Sequence, residues 1–309
     1  MRERRKLLIQ QSDSLKEALE KQFGAGIEIT RSEAVGGGDI NDAYGLWLSN
    51  GRRIFMKSNR PQNLSFFVTE CEGLKAMEAT GTVSVPEVLG LGCDSARGIS
   101  FLLLSYEESR GRNRDYWSVL GCELAAMHNA DASAFVKGGK YGFLHDNYIG
   151  AGFQENTPES DWITFFGKHR LRVQFDRAER YLSDEDKKNA AYLLEHLDRF
   201  LIEPEHPSLL HGDLWGGNVI CGPDGKAWLI DPASYVGFYE ADLAMTELFG
   251  GFGAEFYSAY ESINPLKEGY ENRREIYNLY HLLNHLNLFG GGYLYSVRNI
   301  LGSIKGTVL

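Results

Sequence analysis

Two aspartates and an asparagine near the middle of the chain have the types and spacing that phosphoryl transfer requires. In the segment HGDLWGGN, residues 211–218, Asp213 is followed five positions later by Asn218, and Asp231 comes after a short apolar run. Such a reaction needs a carboxylate that orients the attacking hydroxyl and accepts its proton, and separate oxygen ligands that hold Mg²⁺ against the phosphates. Asp213 suits the first role, and Asn218 and Asp231 suit the second, in the order H-x-D-x-x-x-x-N followed by a later aspartate.

Each of these residues also has a simpler explanation when taken alone. His211-Gly212-Asp213 could be a turn stabilised by an aspartate side chain, and Asp231 could cap a helix. The three polar residues together, in this order and separated by short apolar strands, favour a phosphotransferase site.

The segments around this site resemble those of the fructosamine kinase (ketosamine kinase) family, which shares a protein-kinase-like fold with aminoglycoside and choline kinases. The matching pieces lie between about residue 14 and about residue 293 and are HGDLWGGN at 211–218, IDPASYVGFYEADLAMTELFGGF at 230–252, DNYIG at 146–150 and W-x-x-F-F-x-x-x-R-L at 162–171. The resemblance implies ATP and Mg²⁺ as cofactors. It also implies phosphorylation of a sugar hydroxyl, the 3-hydroxyl, on ketosamines such as fructosamine or ribulosamine adducts of lysine.

A strand lysine and a helix glutamate are candidates for positioning the ATP phosphates. Lys57 follows a predicted hairpin in an apolar strand, where a lysine would contact the α- and β-phosphates. Glu70 on the next predicted helix could pair with it, and Glu72 is the competing partner. The family resemblance favours Glu70, because the family's helix glutamate precedes the local leucine, here Leu74, by four positions.

Two further segments are candidate nucleotide contacts. A flexible loop that could close over the phosphates contains Gly36, Gly37 and Gly38. The junction after the strand FLLLS, where main-chain groups would hold adenine, contains Ser105, Tyr106 and Glu107. Asp39 stands where many family members carry a cysteine associated with redox-sensitive dimer linkage, so that form of regulation is not expected here.

Four residues near the matched motifs are candidate acceptor contacts: Asp146, Asn147, Arg170 and Trp215. Aromatic residues in these motifs, including Trp162 and Phe238, could line a sugar site or could simply pack in the core. Asp242 matches the family position that braces the catalytic loop, and His211 is expected to scaffold that loop.

The predicted elements place these residues in an α+β, two-lobed fold. Residues 1–106 are predicted to form a small antiparallel sheet with one helix at 64–80, whose apolar face contains Phe67, Cys71, Leu74 and Met77. Residues 107–309 are predicted to be mainly helical, with helices at 116–130, 161–182, 186–201, 241–261 and 272–289 and a strand-rich stretch at 209–231. Leu7, Leu8, Leu15 and Leu19 predict an amphipathic helix near the start of the chain. The first lobe is expected to bind ATP and the second to carry the catalytic residues and the acceptor.

The amino-acid composition limits the kinds of partner that the chain is expected to bind. The 309 residues contain 32 Lys and Arg against 42 Asp and Glu, a formal net charge of −10. This charge disfavours nucleic acid and anionic membrane surfaces, and no apolar run approaches the roughly 18 residues of a membrane span. A cytoplasmic enzyme, either monomer or homodimer, is expected.

Two other functions remain open on the sequence. The chain could be a kinase of the same fold that acts on another small hydroxyl compound, such as an aminoglycoside or choline. It could also be a nucleotide-binding protein without catalysis, although every catalytic position holds a competent residue. Replacement of Asp213 by asparagine tests the second alternative, since an enzyme would lose turnover while nucleotide binding survives.

Overall fold

The computed structural model describes residues 12–36, 41–108 and 111–304. Its first part is a five-stranded antiparallel sheet made of β1 (Ile29–Val35), β2 (Asp42–Leu48), β3 (Arg53–Asn59), β4 (Val88–Asp94) and β5 (Ile99–Ser105). The strands are arranged in the order β1-β2-β3-β5-β4. The predicted hairpin joins β2 to β3, and Gly51 in its turn has φ +82°, a left-handed conformation that glycine adopts without strain.

The sheet lies between two apolar cores. Leu15 and Leu19 of helix α1 (Asp13–Phe23) pack on one face, as predicted, whereas Leu7 and Leu8 lie outside the described residues. Leu102 of β5 belongs to the second and larger core, which extends into the helical part. Because β5 is buried on both faces, its sequence is a continuous apolar run without alternation.

Helix α2 (Leu64–Ala79) is the one predicted at 64–80. Its buried residues include all four members of the predicted apolar face, Phe67, Cys71, Leu74 and Met77. This burial presses α2 against the sheet and the helical part, so the polar residues on its neighbouring face lie along the cleft between them.

The second part is mainly helical. Its helices are α3 (Tyr116–Asn129), α4 (Trp162–Phe166), α5 (Val173–Ala178), α6 (Asp184–Glu195), α7 (Glu240–Leu248), α8 (Ala254–Glu261), α9 (Tyr270–Phe289) and α10 (Leu294–Ser303). Short antiparallel pairs join β6 (Asn147–Ile149) to β7 (Gly152–Gln154), β8 (Ser208–Leu210) to β11 (Tyr235–Gly237), and β9 (Val219–Cys221) to β10 (Ala227–Leu229). The α+β class with a small sheet and a larger helical part is confirmed.

Three predicted helices need correction. The helix predicted at 186–201 is α6, which ends at Glu195 and is followed by a separate 3-10 turn, Leu197–Arg199. The helix predicted at 161–182 is interrupted by a π-helical turn, Gly167–Arg172, that periodicity does not reveal. The helix predicted at 241–261 is two helices, because Gly250 and Gly251 have φ +71° and +103° and end the first one.

The hairpin β6–β7 was not predicted, since three-residue strands give weak periodic patterns. Helix α10 was missed although its apolar residues Val297, Ile300 and Leu301 have helical spacing.

Within the described ranges, no helix is both long enough and apolar enough to cross a membrane.

Candidate active site

The loop between β8 and β9 carries Asp213, and a buried aspartate holds the backbone of this loop. Asp242, in the first turn of α7, accepts main-chain hydrogen bonds from His211 N (2.7 Å) and Gly212 N (2.9 Å). A side chain at Gly212 would place its Cβ 2.1 Å from the Ala233 carbonyl oxygen, so only glycine fits this turn. The bracing role expected for Asp242 therefore has a direct structural basis.

His211 stabilises the same loop as a neutral imidazole. Its Nε2 lies 2.9 Å from the Ile230 carbonyl oxygen, which can only accept, so Nε2 carries the hydrogen. Its Nδ1 then accepts from Asp213 N at 3.2 Å. Burial lowers the pKa of His211, which agrees with the neutral form. The ring connects the strand before Asp213 to the strand before Asp231.

Asp213 and Asn218 are hydrogen-bonded to each other. Asn218 Nδ2 donates to the Asp213 main-chain oxygen (2.8 Å) and to its Oδ2 (3.1 Å). Burial raises the pKa of Asp213 to about 7, the bond from Asn218 opposes this, and the carboxylates of Asp231 and Asp242 add to it. A carboxyl group that titrates near neutrality has the basicity that a proton acceptor for a hydroxyl requires.

Asp231 follows β10 in an unusual backbone conformation. Its φ is +56°, and no other non-glycine residue in the described ranges has a positive φ. The left-handed conformation is strained for most residues but is tolerated by aspartate. It directs the carboxylate, which is 47% exposed, into the cleft, where it contacts Lys57.

Lys57 on β3 stands between two carboxylates. Its Nζ donates to Glu70 Oε1 at 2.6 Å and to Asp231 Oδ1. Burial would lower the pKa of Lys57, but the two carboxylates outweigh it and raise the pKa above its usual value. Burial raises the pKa of Glu70 to about 6 against the opposing charge of Lys57. Lys57 is therefore a fixed cation at the centre of the cleft.

The structure also distinguishes the two candidate partners of Lys57. Glu72 lies on a different side of α2, where its Oε1 is 3.1 Å from Nδ1 of His145. Residues 70 and 72 are two positions apart and cannot face the same direction on a helix. Glu70 is the one brought to Lys57.

A cleft of about 840 Å³ between the sheet and the helical part is lined by Lys57, Glu70, Asp213, Asn218 and Asp231. One end of the cleft is lined by residues that include Ser105, Tyr106, Glu107 and Gly36, the described residues that were predicted to contact the nucleotide. Ser105 Oγ donates to Glu107 Oε1, and the guanidinium of Arg53 lies 3.6 Å from the centre of the Tyr106 ring. The predictions for Gly37, Gly38 and Asp39 fall outside the described residues.

The other end of the cleft is aromatic. Trp215 and Phe249 pack edge to face at 6.2 Å, and the His285 ring lies 5.1 Å from Phe249 and 5.0 Å from Tyr293. Trp215, Phe249 and Phe289 are 39%, 41% and 59% exposed, so their faces are open to a ligand. Trp215 was a candidate from the sequence, but Phe289 and Tyr293 were missed. The signal for them was an aromatic pair flanking three glycines after a long helix.

Asp146, Asn147 and Arg170 are not among the residues lining this cleft. Asp146 Oδ1 accepts from Asn156 N at 2.7 Å, and Asn147 Nδ2 donates to the Ser234 carbonyl oxygen at 2.7 Å. Arg170 is fully buried, donates to Asn156 Oδ1 at 2.7 Å and stacks 4.0 Å from the Tyr235 ring. All three side chains therefore make hydrogen bonds within the protein, and none of them lines the cleft.

The donor set suits a hard divalent cation that takes oxygen ligands, such as Mg²⁺. Across the described residues, no three His, Cys, Asp or Glu side chains form a metal cluster. Mg²⁺ at nucleotide sites needs only one or two protein oxygens, because phosphates and water complete its shell. The bonds from Asn218 Nδ2 to Asp213 leave the Asn218 amide oxygen for a ligand, and the exposed Asp231 carboxylate supplies a second oxygen.

Comparison with known proteins gives matches over nearly the whole chain. Residues 11–306 match the family described as fructosamine kinase. A Synechocystis protein named "Probable ketoamine kinase" is 39% identical over 289 residues, 93% of this chain and 95% of that protein. The chloroplastic protein-ribulosamine 3-kinase of Oryza sativa subsp. indica is 40% identical over 287 residues, 90% of this chain and 80% of that one.

Solved structures give the same result for the fold. A crystal structure from Haemophilus somnus, which carries the provisional name fructosamine-3-kinase, has a TM-score of 0.83 at 29% identity and covers 96% of this chain and 99% of that one. A choline kinase from Streptococcus pneumoniae has a TM-score of 0.57 at 14% identity over 94% and 98% of the two chains, a likeness of fold alone. The expected protein-kinase-like fold is confirmed.

Proposed function

The chain belongs to the fructosamine kinase family, and from this premise we propose that it transfers the γ-phosphate of ATP to a sugar hydroxyl, the 3-hydroxyl, of ketosamines. Fructosamine and ribulosamine adducts of lysine, free or on protein, are the proposed acceptors. One observation carries the proposal. Asp213, Asn218, Asp231, Lys57 and Glu70 come from distant parts of the sequence and meet in one cleft.

Each of these cleft residues has a separate role in phosphoryl transfer. Asp213 orients the acceptor hydroxyl and takes its proton as attack begins. Lys57, held by Glu70, positions the ATP phosphates, and Asn218 and Asp231 hold Mg²⁺, which when bound neutralises charge on the phosphates. Catalysis of this type depends on positioning and electrostatics, so a site built from rigid elements suits it. We place ATP binding in residues 1–106 and catalysis in residues 107–309.

The acceptor is proposed to enter at the aromatic end of the cleft. A ketosamine carries a protonated amine beside its sugar, and aromatic faces attract both sugar rings and cations. Trp215 lies two positions after Asp213 in the same loop and is partly exposed, so a sugar resting on it would present its hydroxyl near the Asp213 carboxylate.

The chain is also proposed to act in the cytoplasm as a monomer or homodimer, without a nucleic-acid or membrane partner. Its formal net charge of −10 supports the expected lack of nucleic-acid and membrane partners, because such a surface repels phosphate chains and anionic lipid. The same charge favours acceptors that carry an amine.

The test is an assay of ATP consumption with Mg²⁺ against lysines modified with fructose, ribulose and erythrulose, together with choline and an aminoglycoside. We expect turnover on a ketosamine, and Asp213→Asn should lower kcat by about 10²- to 10⁴-fold. Binding of a non-hydrolysable ATP analogue should survive in this variant. Asp198→Asn, at an exposed position on a short helical turn, serves as the matched control.

Turnover confined to choline or the aminoglycoside would move the activity to another class of small-molecule kinase. Nucleotide binding with no turnover on any acceptor would instead indicate a protein without this catalytic activity. Either result would contradict the proposed function.

A further inference from the structure

The sequence motif DNYIG forms the first strand of a hairpin that touches helix α2. Tyr148 of β6 packs on Phe66 of α2 with ring centres 4.2 Å apart, and its hydroxyl lies 3.1 Å from Oγ of Ser65. Just before the strand, His145 pairs with Glu72 of the same helix. Residues 145–148 therefore hold the first two and a half turns of α2 at several points.

The neighbouring residue of the strand points the other way and holds the segment after Asp231. Asn147 is buried, and its Nδ2 donates to the Ser234 carbonyl oxygen at 2.7 Å. Gln154 of β7 donates to Asn147 Oδ1 (2.8 Å) and to the Ala233 carbonyl oxygen (3.0 Å). Successive strand residues face opposite sides. The hairpin thus contacts α2 on one side and residues 233–234 on the other.

Helix α2 also meets the same segment directly. At Gly73 an added Cβ would lie 3.0 Å from Pro232 Cγ and 3.1 Å from Ser234 Oγ. Glycine is unfavourable inside a helix relative to alanine, and here its small size permits close approach of the helix to Pro232. The position of α2 is consequently defined against the residues that immediately follow Asp231.

We propose that the β6–β7 hairpin is a clamp between the two lobes, and that Tyr148 is the positioning residue through which it acts. Glu70 lies one helical turn after Phe66 and on the same face, so a contact at Phe66 sets where Glu70 meets Lys57. The same hairpin holds the segment carrying Asp231. The clamp therefore fixes the distance between the cation that positions the ATP phosphates and the carboxylate that holds the metal. This inference rests on the proposed function.

A direct role in acceptor binding is the competing explanation, since Tyr148 also lines the cleft. The two explanations affect different measurements. A clamp acts on α2 and Lys57 and therefore on nucleotide binding in the absence of acceptor. A residue that touches only the acceptor changes the KM of the acceptor and leaves nucleotide binding intact.

Calorimetry without acceptor measures the Kd of a non-hydrolysable ATP analogue in the presence of Mg²⁺. Steady-state kinetics then measures kcat and the KM values of ATP and of the acceptor. Tyr148→Ala is expected to weaken nucleotide binding about 10-fold, equal to about 1.4 kcal/mol, and to lower kcat. Tyr148→Phe should retain most of the affinity, because the ring contact with Phe66 remains. Val68→Ala, at an exposed position of the same helix, is the matched control and should bind as the wild type does.

A double-mutant cycle with Phe66→Ala tests whether Tyr148 acts through α2. Once either ring is removed, removal of the other should have little further effect on the nucleotide Kd. Thermal unfolding of each variant separates loss of fold from loss of positioning. An unchanged nucleotide Kd with a raised acceptor KM in Tyr148→Ala, or strict additivity in the cycle, would overturn the clamp. Failure of the wild type to bind the nucleotide would overturn both the clamp and the proposed function, whereas the former results leave the proposed function intact.

Discussion

The ammonium group of Lys57 lies 2.6 Å from the Glu70 carboxylate and joins the middle strand of the sheet to helix α2. Glu70→Gln keeps the shape of the side chain but removes the charge that holds the lysine. We expect kcat/KM for ATP to fall by about 10- to 100-fold, because misplaced phosphates lose the geometry for in-line attack. Steady-state kinetics with varied ATP measures this.

The control for that prediction is Glu72→Gln on the same helix. Glu72 Oε1 lies 3.1 Å from Nδ1 of the exposed His145, and polar pairs at the surface contribute at most about 1 kcal/mol. The effect of Glu72→Gln on ATP kinetics should stay below about fivefold, which is the factor that about 1 kcal/mol represents. Equal losses in the two variants would contradict the specific role of Glu70.

Asp242 accepts hydrogen bonds from the main chain of His211 and Gly212 and a third from His128 Nε2 at 3.2 Å. Burial would raise the pKa of Asp242, but the bond from His128 and the neighbouring donors lower it overall, so the group stays charged. Asp242→Asn should destabilise the protein by about 2–4 kcal/mol, since a buried donor loses its acceptor. It should also lower kcat, because Asp213 is on the loop that Asp242 holds.

Chemical denaturation and the acceptor assay together check that prediction. Asp176→Asn, at an exposed helical position, is the control and should change neither quantity. A variant Asp242→Asn with wild-type stability and wild-type kcat would show that the loop does not depend on this carboxylate.

A substitution at Arg170 distinguishes a structural role of this residue from a role in acceptor binding. Its guanidinium donates to the Glu155 and His169 carbonyl oxygens and to Asn156, and it stacks on Tyr235. Lysine cannot reproduce this planar set of donors, so Arg170→Lys should cost about 3 kcal/mol of stability. At a temperature where the variant remains folded, its KM for the ketosamine should equal that of the wild type. A raised acceptor KM without loss of stability would restore Arg170 as an acceptor contact.

The aromatic end of the cleft should determine acceptor affinity. Trp215→Ala is expected to raise the ketosamine KM about 10-fold or more, as the loss of an aromatic contact of 1–2 kcal/mol implies. The Kd of the nucleotide analogue should not change. Tyr295→Ala removes an aromatic residue that is 75% exposed on α10 and does not line the cleft, which makes it a matched control. Parallel changes in nucleotide and acceptor affinity would argue against a separate acceptor surface.

His281 should make the fold sensitive to acid. Burial lowers its pKa to about 3 from 6.5, and its buried Nδ1 has no hydrogen-bond partner among the described residues. Between these two values the unfolded chain binds a proton that the folded chain does not, so stability is intact above pH 6.5 and is lost as the pH falls toward 3. The loss approaches about 1.4 kcal/mol per pH unit.

Replacement of that ring by a non-titrating one should flatten the acid side of the stability curve. His281→Phe is expected to lose less stability than the wild type between pH 6.5 and 4.5 in urea titrations. His206→Gln, at an exposed position, should follow the wild-type curve. Parallel curves for wild type and His281→Phe would mean that another group controls acid unfolding.

Prediction from the sequence was most successful where local pattern and residue chemistry agree. The glycine turn between β2 and β3, the apolar face of α2 and the doubly buried β5 all have short-range signals, and the structure contains each of them. The π-helical turn at 167–172 has no such signal. The turn contains Arg170, which is fully buried and hydrogen-bonded to residues 155 and 156, contacts that local periodicity does not show. The division of the helix predicted at 241–261 did have a short-range signal, the Gly250-Gly251 pair, because glycine commonly ends helices.

The types and order of Asp213, Asn218 and Asp231, together with Lys57, were enough to predict the chemistry, because phosphoryl transfer demands a base, oxygen ligands and a cation in any fold. The sequence by itself also determined the α+β class and the family. The structure brings Glu70, which the family resemblance had favoured over Glu72, to Lys57. Only the tertiary structure decided that Asn147 and Arg170 make internal hydrogen bonds and that Phe289 and Tyr293 border the cleft. These outcomes depend on the direction in which a side chain points after packing. That direction is set by contacts with residues far along the chain, which spacing along the sequence does not contain.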